Sequence, residues 1–366
     1  MKIGFLSHLD LNLYLFRLPI MVELIRRGFK VYAICPKGDK FDSFKDYNIE
    51  AIEYKIERSS LNPIKEIKHI YNIYSVIKTL DLDIIHTFTA KPNIYGTIAS
   101  KILGVPRIFN LVEGLGSFYI SNNLKSIIVR NIMEILYKFI FNLSNIVIFV
   151  NSDDPKYFID KSLIKKSRVK IIKSVGIDTE EFKPLKIEYH RKKLRVLMIA
   201  RAIWHKGIKE YYQLAQNLKN MNVEFILIGD TDEGNHSCAN RDFLINGYVK
   251  WLGHRDDIKE QIDKCDIFVL PSYREGVPRT LLEAASMEKP IVTTNSVGCK
   301  EVVEDTINGF LVPIADSDML TIRVQELLEN KHLRDIMGKN SRIKVINEFD
   351  IHIVIKQYME LYEKTI

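Results

Sequence analysis

Cysteine is scarce in this chain, and its positions form no recognisable binding or cross-linking pattern. The 366 residues contain Cys35, Cys238, Cys265 and Cys299, without a C-x-x-C pair. Zinc clusters and disulfide frameworks both use closely or regularly spaced cysteines. Neither is indicated here, and a reducing cytoplasm is the environment that fits this cysteine usage.

We expect no export signal, and the sequence contains no apolar run of membrane-spanning length. The apolar start of the chain is followed at once by His8 and Asp10, without the charged, apolar and small-residue regions of a signal peptide. The longest apolar stretch, residues 126–150, is interrupted by Arg130 and Lys138 before it reaches the about 20 residues that a membrane helix needs. We expect a helix followed by a strand in this stretch, in a cytoplasmic protein.

Charge is distributed unevenly between the two halves of the chain. Residues 1–185 carry 27 Lys and Arg against 19 Asp and Glu, whereas the remainder carries 26 against 27. A basic first half suits anionic lipid or diphosphate groups, since each Lys or Arg near an anionic membrane contributes about 1 kcal/mol. An ordinary solvated basic face is the alternative. Nucleic acid is not an expected partner, because the basic residues are not interleaved with aromatic stacking residues.

Apolar runs of strand length alternate with helical segments in both halves. They include KIGFLS, VYAICP, LDIIHTF and RIFNLVE in the first half and RVLMIAR, EFILIGD, DIFVLPS and PIVTTNS in the second. Continuous hydrophobicity marks parallel strands that are covered on both faces. We therefore predict an α/β fold of two doubly wound, Rossmann-like domains facing a cleft, with ligands at the carboxyl ends of the strands.

The chain length and composition support this division into two domains. We predict a first domain at residues 1–180, a linker at 181–193 and a second domain at 194–350. Residues 351–366 are predicted to form a C-terminal helix that packs back across the linker.

The segment PSYREGVPRTLLEAASM combines a strand end, a loop and the start of a helix. Gly276 permits close backbone approach, and Pro278 suits a first helical turn. A helix N-terminus offers free N–H groups and a partial positive charge to a diphosphate. Glu283 in the helix can accept hydrogen bonds from vicinal hydroxyls, while Glu275 lies in the loop. Stabilisation of the helix dipole alone is the alternative role of these glutamates.

A second segment, RVLMIARAIWHKG, places Arg201 at a strand end and Lys206 before a helix. Two cations at such a turn can neutralise a departing diphosphate without a metal ion. An ordinary solvated lysine is the alternative for Lys206. The triplets at 81–83 and 230–232 have the D-x-D spacing of some metal sites, but triplets this short are common, and we predict no metal and no cofactor.

Taken together, Glu275 with Glu283, Arg201 with Lys206, and Gly4 after the first strand resemble the retaining GT-B glycosyltransferases of family 4, over the whole chain. The resemblance implies that Arg201 and Lys206 hold the diphosphate of a UDP-sugar and that Glu283 holds its ribose. It implies that Glu275 and the Gly276 backbone hold the transferred sugar. Metal is not required in such enzymes.

The segments LVEGLGSFYI, ARAIWHKG and CDIFVLPSYREGVP are similar to one branch of this family. Members of that branch add N-acetylgalactosamine from UDP-GalNAc to undecaprenyl-diphospho-N,N′-diacetylbacillosamine during bacterial protein N-glycosylation. The expected partners are therefore a UDP-sugar, a polyprenyl-diphosphate-linked acceptor and the membrane surface. The first domain is expected to face the acceptor on the inner face of the inner membrane.

The sequence departs from the family where many members carry a histidine near the reacting sugar, because Glu113 stands there. Glu113 and Gly114 are candidates for contacting the acceptor hydroxyl or the donor sugar, and a buried structural carboxylate is the alternative for Glu113. Four further acceptor candidates in the first domain are His8, Arg17, Arg58 and His86, with structural histidines and ordinary surface charges as the alternatives.

Three other functions stay open from the residues alone. A sugar-nucleotide 2-epimerase would share the architecture, although the two charged pairs argue against it. A protein that binds a nucleotide sugar without turning it over would show tight UDP binding and no UDP release. A transferase with a different UDP-sugar is the third, since sugar specificity depends on a few pocket contacts.

Overall fold

The computed structural model describes residues 1–57, 62–121, 123–185, 187, 189, 191–235, 237–245 and 247–363. The chain divides into two compact units. The first unit comprises Met1–Val175 and His352–Ile366, and the second unit comprises Gly176–Ile351.

The first unit is built on a seven-stranded parallel sheet of order β3-β2-β1-β4-β5-β6-β7. Its strands are β1 (Lys2–Leu6), β2 (Lys30–Cys35), β3 (Glu50–Glu53), β4 (Ile84–Phe88), β5 (Arg107–Val112), β6 (Ile146–Phe149) and β7 (Val169–Ile171). The central strands are buried almost throughout, because helices cover both faces of a parallel sheet. The predicted doubly wound arrangement is confirmed for this unit.

Among the residues that the structure describes, seven α-helices accompany this sheet. They are α1 (Asp10–Phe16), α2 (Leu18–Arg26), α3 (Pro63–Leu80), α4 (Ala90–Ile102), α5 (Leu124–Leu143), α6 (Asp153–Asp160) and, near the end of the chain, α14 (Ile351–Glu363). Asn62 and Asn123 begin α3 and α5 by accepting hydrogen bonds from the backbone N–H groups of Ile64 and Ser126. Tyr358 and Tyr362 of α14 are fully buried.

The second unit repeats the plan with a six-stranded parallel sheet of order β10-β9-β8-β11-β12-β13. Its strands are β8 (Leu194–Ile199), β9 (Val223–Ile228), β10 (Lys250–Trp251), β11 (Ile267–Leu270), β12 (Ile291–Thr294) and β13 (Gly309–Val312). Its helices are α7 (Ile208–Asn217), α8 (Arg241–Leu244), α9 (Ile258–Asp263), α10 (Arg279–Ser286), α11 (Cys299–Val302), α12 (Ser317–Glu329) and α13 (Lys331–Glu348). A doubly wound second unit is thereby confirmed.

Both sheets leave a set of loops at the carboxyl ends of their strands, where ligands bind in this class of fold. Glu113 follows β5, Arg201 follows β8 and Glu275 follows β11. In the described part of the chain, no helix is both long enough and apolar enough to cross a bilayer.

Candidate functional site

The turn after β8 is held tightly against the loop after β11. A short 3-10 helix, Trp204–Lys206, ends at Gly207, whose φ of 79° is accessible to glycine at little cost. A Cβ atom on Gly207 would lie 2.2 Å from the carbonyl oxygen of Pro271. The backbone of the two segments therefore touches, and this contact brings Lys206 beside Glu275.

Lys206 and Glu275 form an ion pair through Nζ and Oε1. Their side chains are only 19% and 12% exposed. The Ser272 hydroxyl donates a hydrogen bond of 2.7 Å to the same Glu275 oxygen, and the Glu275 N–H donates to the Val297 carbonyl at 2.9 Å. The structure thus joins two residues that the sequence placed in separate motifs, with both charges compensated.

The backbone of the Glu275–Gly276 loop is fixed by Gly298. This glycine has a φ of 84°, and a Cβ atom on it would lie 2.3 Å from the Gly276 carbonyl oxygen and 2.6 Å from that of Glu275. Only glycine satisfies both the conformation and the contact. Gly298 was not among the predicted residues, and its only signal in the sequence is a Val-Gly pair soon after β12.

Glu283 lies in α10 with its side chain 10% exposed, and Arg279 one turn earlier donates to its Oε1 at 2.9 Å. Desolvation raises the pKa of Glu283, while the Arg279 charge opposes that rise. Helix α10 begins at Arg279, so Pro278 is the residue before the helix rather than part of its first turn.

Arg201 is more accessible than Lys206 and has a different partner. Its side chain is 53% exposed, and its Nη1 donates to Asp232 Oδ2 at 2.6 Å. The same oxygen accepts a hydrogen bond from Asn235 at 2.9 Å. Asp232 belongs to the second D-x-D triplet, and its carboxylate accepts hydrogen bonds from Arg201 and Asn235.

The first triplet is also engaged at the surface of its unit. Lys2 donates from Nζ to Asp81 at 3.1 Å and from its backbone N–H to Asp83 at 2.7 Å. Among the residues that the structure describes, no group of three or more His, Cys, Asp or Glu is arranged to hold a metal ion.

In the first unit, Glu113 forms an ion pair with Arg17. The Arg17 side chain has 0% exposure, whereas that of Glu113 has 25%. Arg17 also lies over the ring of Phe88 at 4.9 Å, and Asn12 Nδ2 is 3.4 Å from both oxygens of Glu113. Arg17 is therefore neither a surface charge nor accessible to an acceptor diphosphate. Both interpretations of Arg17 from the sequence, as an acceptor-binding residue and as an ordinary surface charge, are corrected by its burial.

His86 is buried as well, in the middle of β4 rather than at its end. Its Nδ1 and the Tyr362 hydroxyl share a hydrogen bond of 2.6 Å, and its ring packs against Phe88 with centroids 4.3 Å apart. Burial lowers the pKa of His86 well below its usual range, so the ring is neutral. This environment corresponds to the structural alternative and gives His86 no route to a ligand.

His8 and Gly114 lie in loops at the carboxyl edge of the first sheet. His8 Nδ1 is 2.7 Å from the Thr89 hydroxyl, and Thr89 itself adopts a φ of 71° at the start of α4. Gly114 has a φ of 153°. Arg58 lies outside the described residues. The roles of His8, Gly114 and Glu113 stay predictions.

Three polar residues that determine these environments were not predicted from the sequence. Asn12, Asp232 and Ser272 each contact a predicted site residue. Asn12 lies outside any motif, and Asp232 and Ser272 lie in motifs whose spacing does not indicate these contacts, so only the folded structure identifies them.

Comparison with known proteins gives the family. Residues 179–344 match the family described as Glycosyl transferases group 1, and residues 2–151 match the family described as Glycosyl transferase 4-like. Among solved structures, that of Anabaena HepE in complex with UDP and glucose has a TM-score of 0.79 at 19% identity, with 100% of both chains covered. This likeness shows the GT-B fold.

Two curated relatives match along most of the chain. An N,N′-diacetylbacillosaminyl-diphospho-undecaprenol alpha-1,3-N-acetylgalactosaminyltransferase of Campylobacter jejuni is 38% identical, with 100% of this chain and 99% of that protein covered. A UDP-Gal:alpha-D-GlcNAc-diphosphoundecaprenol alpha-1,3-galactosyltransferase of Escherichia coli is 27% identical, with 91% and 89% covered. This chain belongs to family 4 of the GT-B glycosyltransferases.

Proposed function

We propose that this chain transfers N-acetylgalactosamine from UDP-GalNAc to undecaprenyl-diphospho-N,N′-diacetylbacillosamine, with an alpha-1,3 linkage, in protein N-glycan assembly. The observation that carries the proposal is the 38% identity to the Campylobacter jejuni enzyme along the full length of both chains. The E. coli relative also has a diphosphoundecaprenol-linked sugar in its name, which favours the same class of acceptor.

The second unit supplies the donor site in this proposal. Arg201 and Lys206 bind the diphosphate, Glu283 accepts hydrogen bonds from the ribose hydroxyls, and Glu275 with the Gly276 backbone binds the sugar. Support comes from the pairing of Lys206 with Glu275, in which a cation after β8 meets a carboxylate after the neighbouring strand β11. A diphosphate entering there would take over part of the Lys206 charge that Glu275 now compensates.

We propose that the reaction retains the anomeric configuration and needs no metal ion. The bond between the sugar C1 and the diphosphate oxygen breaks, while the acceptor oxygen bonds to C1 on the same face. The acceptor proton passes to an oxygen of the leaving phosphate. Arg201 and Lys206 stabilise the charge that develops on UDP, which is the task a metal ion performs in other sites.

The first unit supplies the acceptor side and the membrane contact in the proposal. Glu113, with 25% of its side chain exposed after β5, is the residue proposed to hydrogen-bond the acceptor hydroxyl. The basic composition of this half supports a peripheral position on the inner face of the inner membrane, where anionic headgroups attract Lys and Arg.

The test is UDP release by the purified protein. UDP-GalNAc, UDP-GlcNAc and UDP-galactose are each supplied with and without a polyprenyl-diphospho-bacillosamine acceptor, and with and without EDTA. We expect acceptor-dependent release from UDP-GalNAc that EDTA does not change. Lys206→Ala should lower kcat by about 100-fold to 1000-fold, as loss of a charge-stabilising group does in other enzymes.

Lys209→Ala is the matched control, because Lys209 is an exposed lysine three residues further along the same turn and helix. It should leave kcat unchanged. UDP release from UDP-galactose alone would show that UDP-galactose, and not UDP-GalNAc, is the donor. UDP binding without UDP release from any combination of donor and acceptor would favour a protein that binds the nucleotide without turnover.

A further inference from the structure

Helix α5 is apolar on two opposite sides. One side is in the core, with Tyr137, Ile140 and Phe141 buried. On the opposite side lies a stripe of large apolar residues with spacings of four, four, three and four, which we call the α5 stripe. Its members are Leu124, Ile128, Ile132, Ile135 and Phe139, with exposures of 74%, 51%, 53%, 69% and 55%. A helix on a water-exposed surface normally turns polar residues outward, so the stripe indicates a partner.

The charges on α5 indicate that this partner is an anionic surface. Lys125 and Lys138 are exposed and lie on opposite sides of the stripe. The single acidic residue of the helix, Glu134, is turned inward, where it pairs with Lys161 at 2.9 Å and accepts a hydrogen bond from Tyr157. The outward face of α5 is therefore apolar and basic, with its acidic group removed.

Helix α3 repeats this pattern. Ile64, Ile67 and Tyr71 are 79%, 69% and 66% exposed at helical spacing, and we call them the α3 stripe. Lys68 is exposed beside them, while the single acidic residue of α3, Glu66, is turned inward and pairs with Lys91. Two helices of one unit thus present the same combination of apolar and basic groups.

The two stripes belong to one layer of helices. Helix α4 packs against both α3 and α5 and is itself buried along most of its length. Its neighbours therefore form the outer surface of that layer. This arrangement places the α3 and α5 stripes on the same side of the sheet.

The stripes also extend to the edge of the sheet that carries the acceptor candidates. A helix that follows a parallel strand starts at the carboxyl end of that strand. Leu124 and Ile128 open the helix that follows β5, as Ile64 and Ile67 open the helix that follows β3. Glu113 follows β5 directly at the same edge.

We propose that the α5 and α3 stripes dock the first unit on an anionic lipid bilayer, with their apolar side chains in the headgroup region and Lys68, Lys125 and Lys138 against lipid phosphates. Amphipathic helices with basic flanks bind membranes in this way. The inference rests on the proposed function, because an enzyme that acts on a lipid-linked acceptor has to reach that acceptor at the membrane. A second copy of this chain is a poorer partner, since like-charged lysines would face each other across a symmetric interface.

The experiment measures binding of the full chain to vesicles. We expect sedimentation with mixed phosphatidylethanolamine and phosphatidylglycerol vesicles, weaker sedimentation with phosphatidylcholine alone, and a loss of binding as salt is raised. Equal binding to both vesicle types at every salt concentration would overturn the proposed role of the lysines.

A matched pair of double variants tests the stripe itself. Ile128→Asp with Ile132→Asp changes two stripe residues, and Ile322→Asp with Ile343→Asp changes two isoleucines of the second unit with similar exposures of 55% and 57%. We expect the first variant to bind vesicles at least about tenfold more weakly, since inserted apolar area sets such affinities. Equal vesicle binding by the two variants would overturn the proposal, as would a monomer–dimer change in the first variant without any vesicle binding by the wild type.

Activity on a water-soluble, short-chain acceptor separates this inference from the proposed function. The stripe variant should keep the wild-type rate on that acceptor and its UDP affinity, while losing rate on vesicle-bound acceptor. If the wild type releases no UDP with either acceptor but the stripe variant alone loses vesicle binding, the proposed reaction fails and the docking surface stands.

Discussion

The two units handle their charged candidate residues in opposite ways. In the second unit, Arg201 is half exposed, and Lys206 pairs with Glu275 in the loops after the strands. In the first unit, Arg17 and His86 are buried completely. A partly exposed guanidinium such as that of Arg201 can exchange a protein partner for a ligand, whereas the fully buried guanidinium of Arg17 cannot leave its carboxylate without a large cost.

Net charge shows the same division. Residues 1–175 with 352–366 carry a formal +10, and residues 176–351 carry −3. The more basic unit nevertheless buries one of its arginines and places lysines on the outward faces of α3 and α5. The comparison shows that part of the basic surplus of the first unit lies on its outer surface, in the lysines of α3 and α5.

The largest expected effect concerns the buried pair of the first unit. Glu113→Gln removes the carboxylate that compensates Arg17, whose Nε has no hydrogen-bond partner among the described residues. We expect the free energy of unfolding to fall by about 3 to 5 kcal/mol, because an uncompensated buried charge remains. Arg17→Met combined with Glu113→Gln should recover most of that loss, as measured by denaturant unfolding in a double-mutant cycle.

The double variant also decides between the two roles of Glu113. If it is stable but releases UDP far more slowly than the wild type, Glu113 acts on the substrate. Full activity in the stable double variant would make Glu113 a structural residue. A loss below about 1 kcal/mol in Glu113→Gln would show that solvent compensates Arg17, contrary to its burial.

A smaller effect is expected at the backbone contact of the second unit. Gly298→Ala forces an alanine into the left-handed region, at about 1 to 2 kcal/mol, and adds a clash with the Gly276 carbonyl that costs a further about 1 to 3 kcal/mol. Gly247→Ala is the control, because Gly247 has a φ of 89° in the same unit and open space around it. Calorimetric unfolding and UDP titration should show the larger stability loss, and weaker UDP binding, in Gly298→Ala alone.

Equal results for the two alanine variants would mean that the Glu275–Gly276 loop shifts freely. The contact with Gly298 would then not fix the loop that is proposed to bind the donor. The variant series therefore tests the backbone contact separately from the left-handed conformation itself.

Much of the fold could be predicted from sequence because its signals are local. Continuous apolar runs marked the long strands of both sheets. Strand β10 was not predicted, because Lys250–Trp251 is only two residues long and does not form an apolar run. The predicted start of α10 was one residue too early, because proline suits both the position before a helix and its first turn.

The residue types of the candidate site could be predicted from sequence, but the burial of some of its residues could not, for a physical reason. Glu275 and Lys206 belong to motifs, and their residue types already suit a phosphate site. The burial of Arg17 depends on Glu113, a residue 96 positions away, and that of His86 depends on Tyr362, 276 positions away. Such long-range contacts have no periodic or spacing signal in a single sequence.

The smallest expected effect is the pH dependence of nucleotide binding by the second unit. Desolvation raises the pKa of Glu283 in the folded chain, so the native state holds this proton at a higher pH than the unfolded chain does. The stability contributed by this group is complete below the unfolded pKa and is lost as the pH rises through the folded pKa. Ribose binding has the opposite sign, because only the ionised carboxylate accepts hydrogen bonds from both hydroxyls.

UDP affinity should therefore fall on acidification, beginning above the pH at which an ordinary glutamate, with a pKa of about 4.3, takes up its proton. Glu283→Gln should bind UDP more weakly by about 1.5 to 3 kcal/mol at neutral pH and lose this pH dependence. Isothermal titration of UDP across the acid range measures both effects. Glu304→Gln, an exposed acid of the same unit, is the control and should keep the wild-type profile. A profile for Glu283→Gln that matches the wild type would remove Glu283 from the ribose site and leave α10 with a glutamate that serves Arg279 alone.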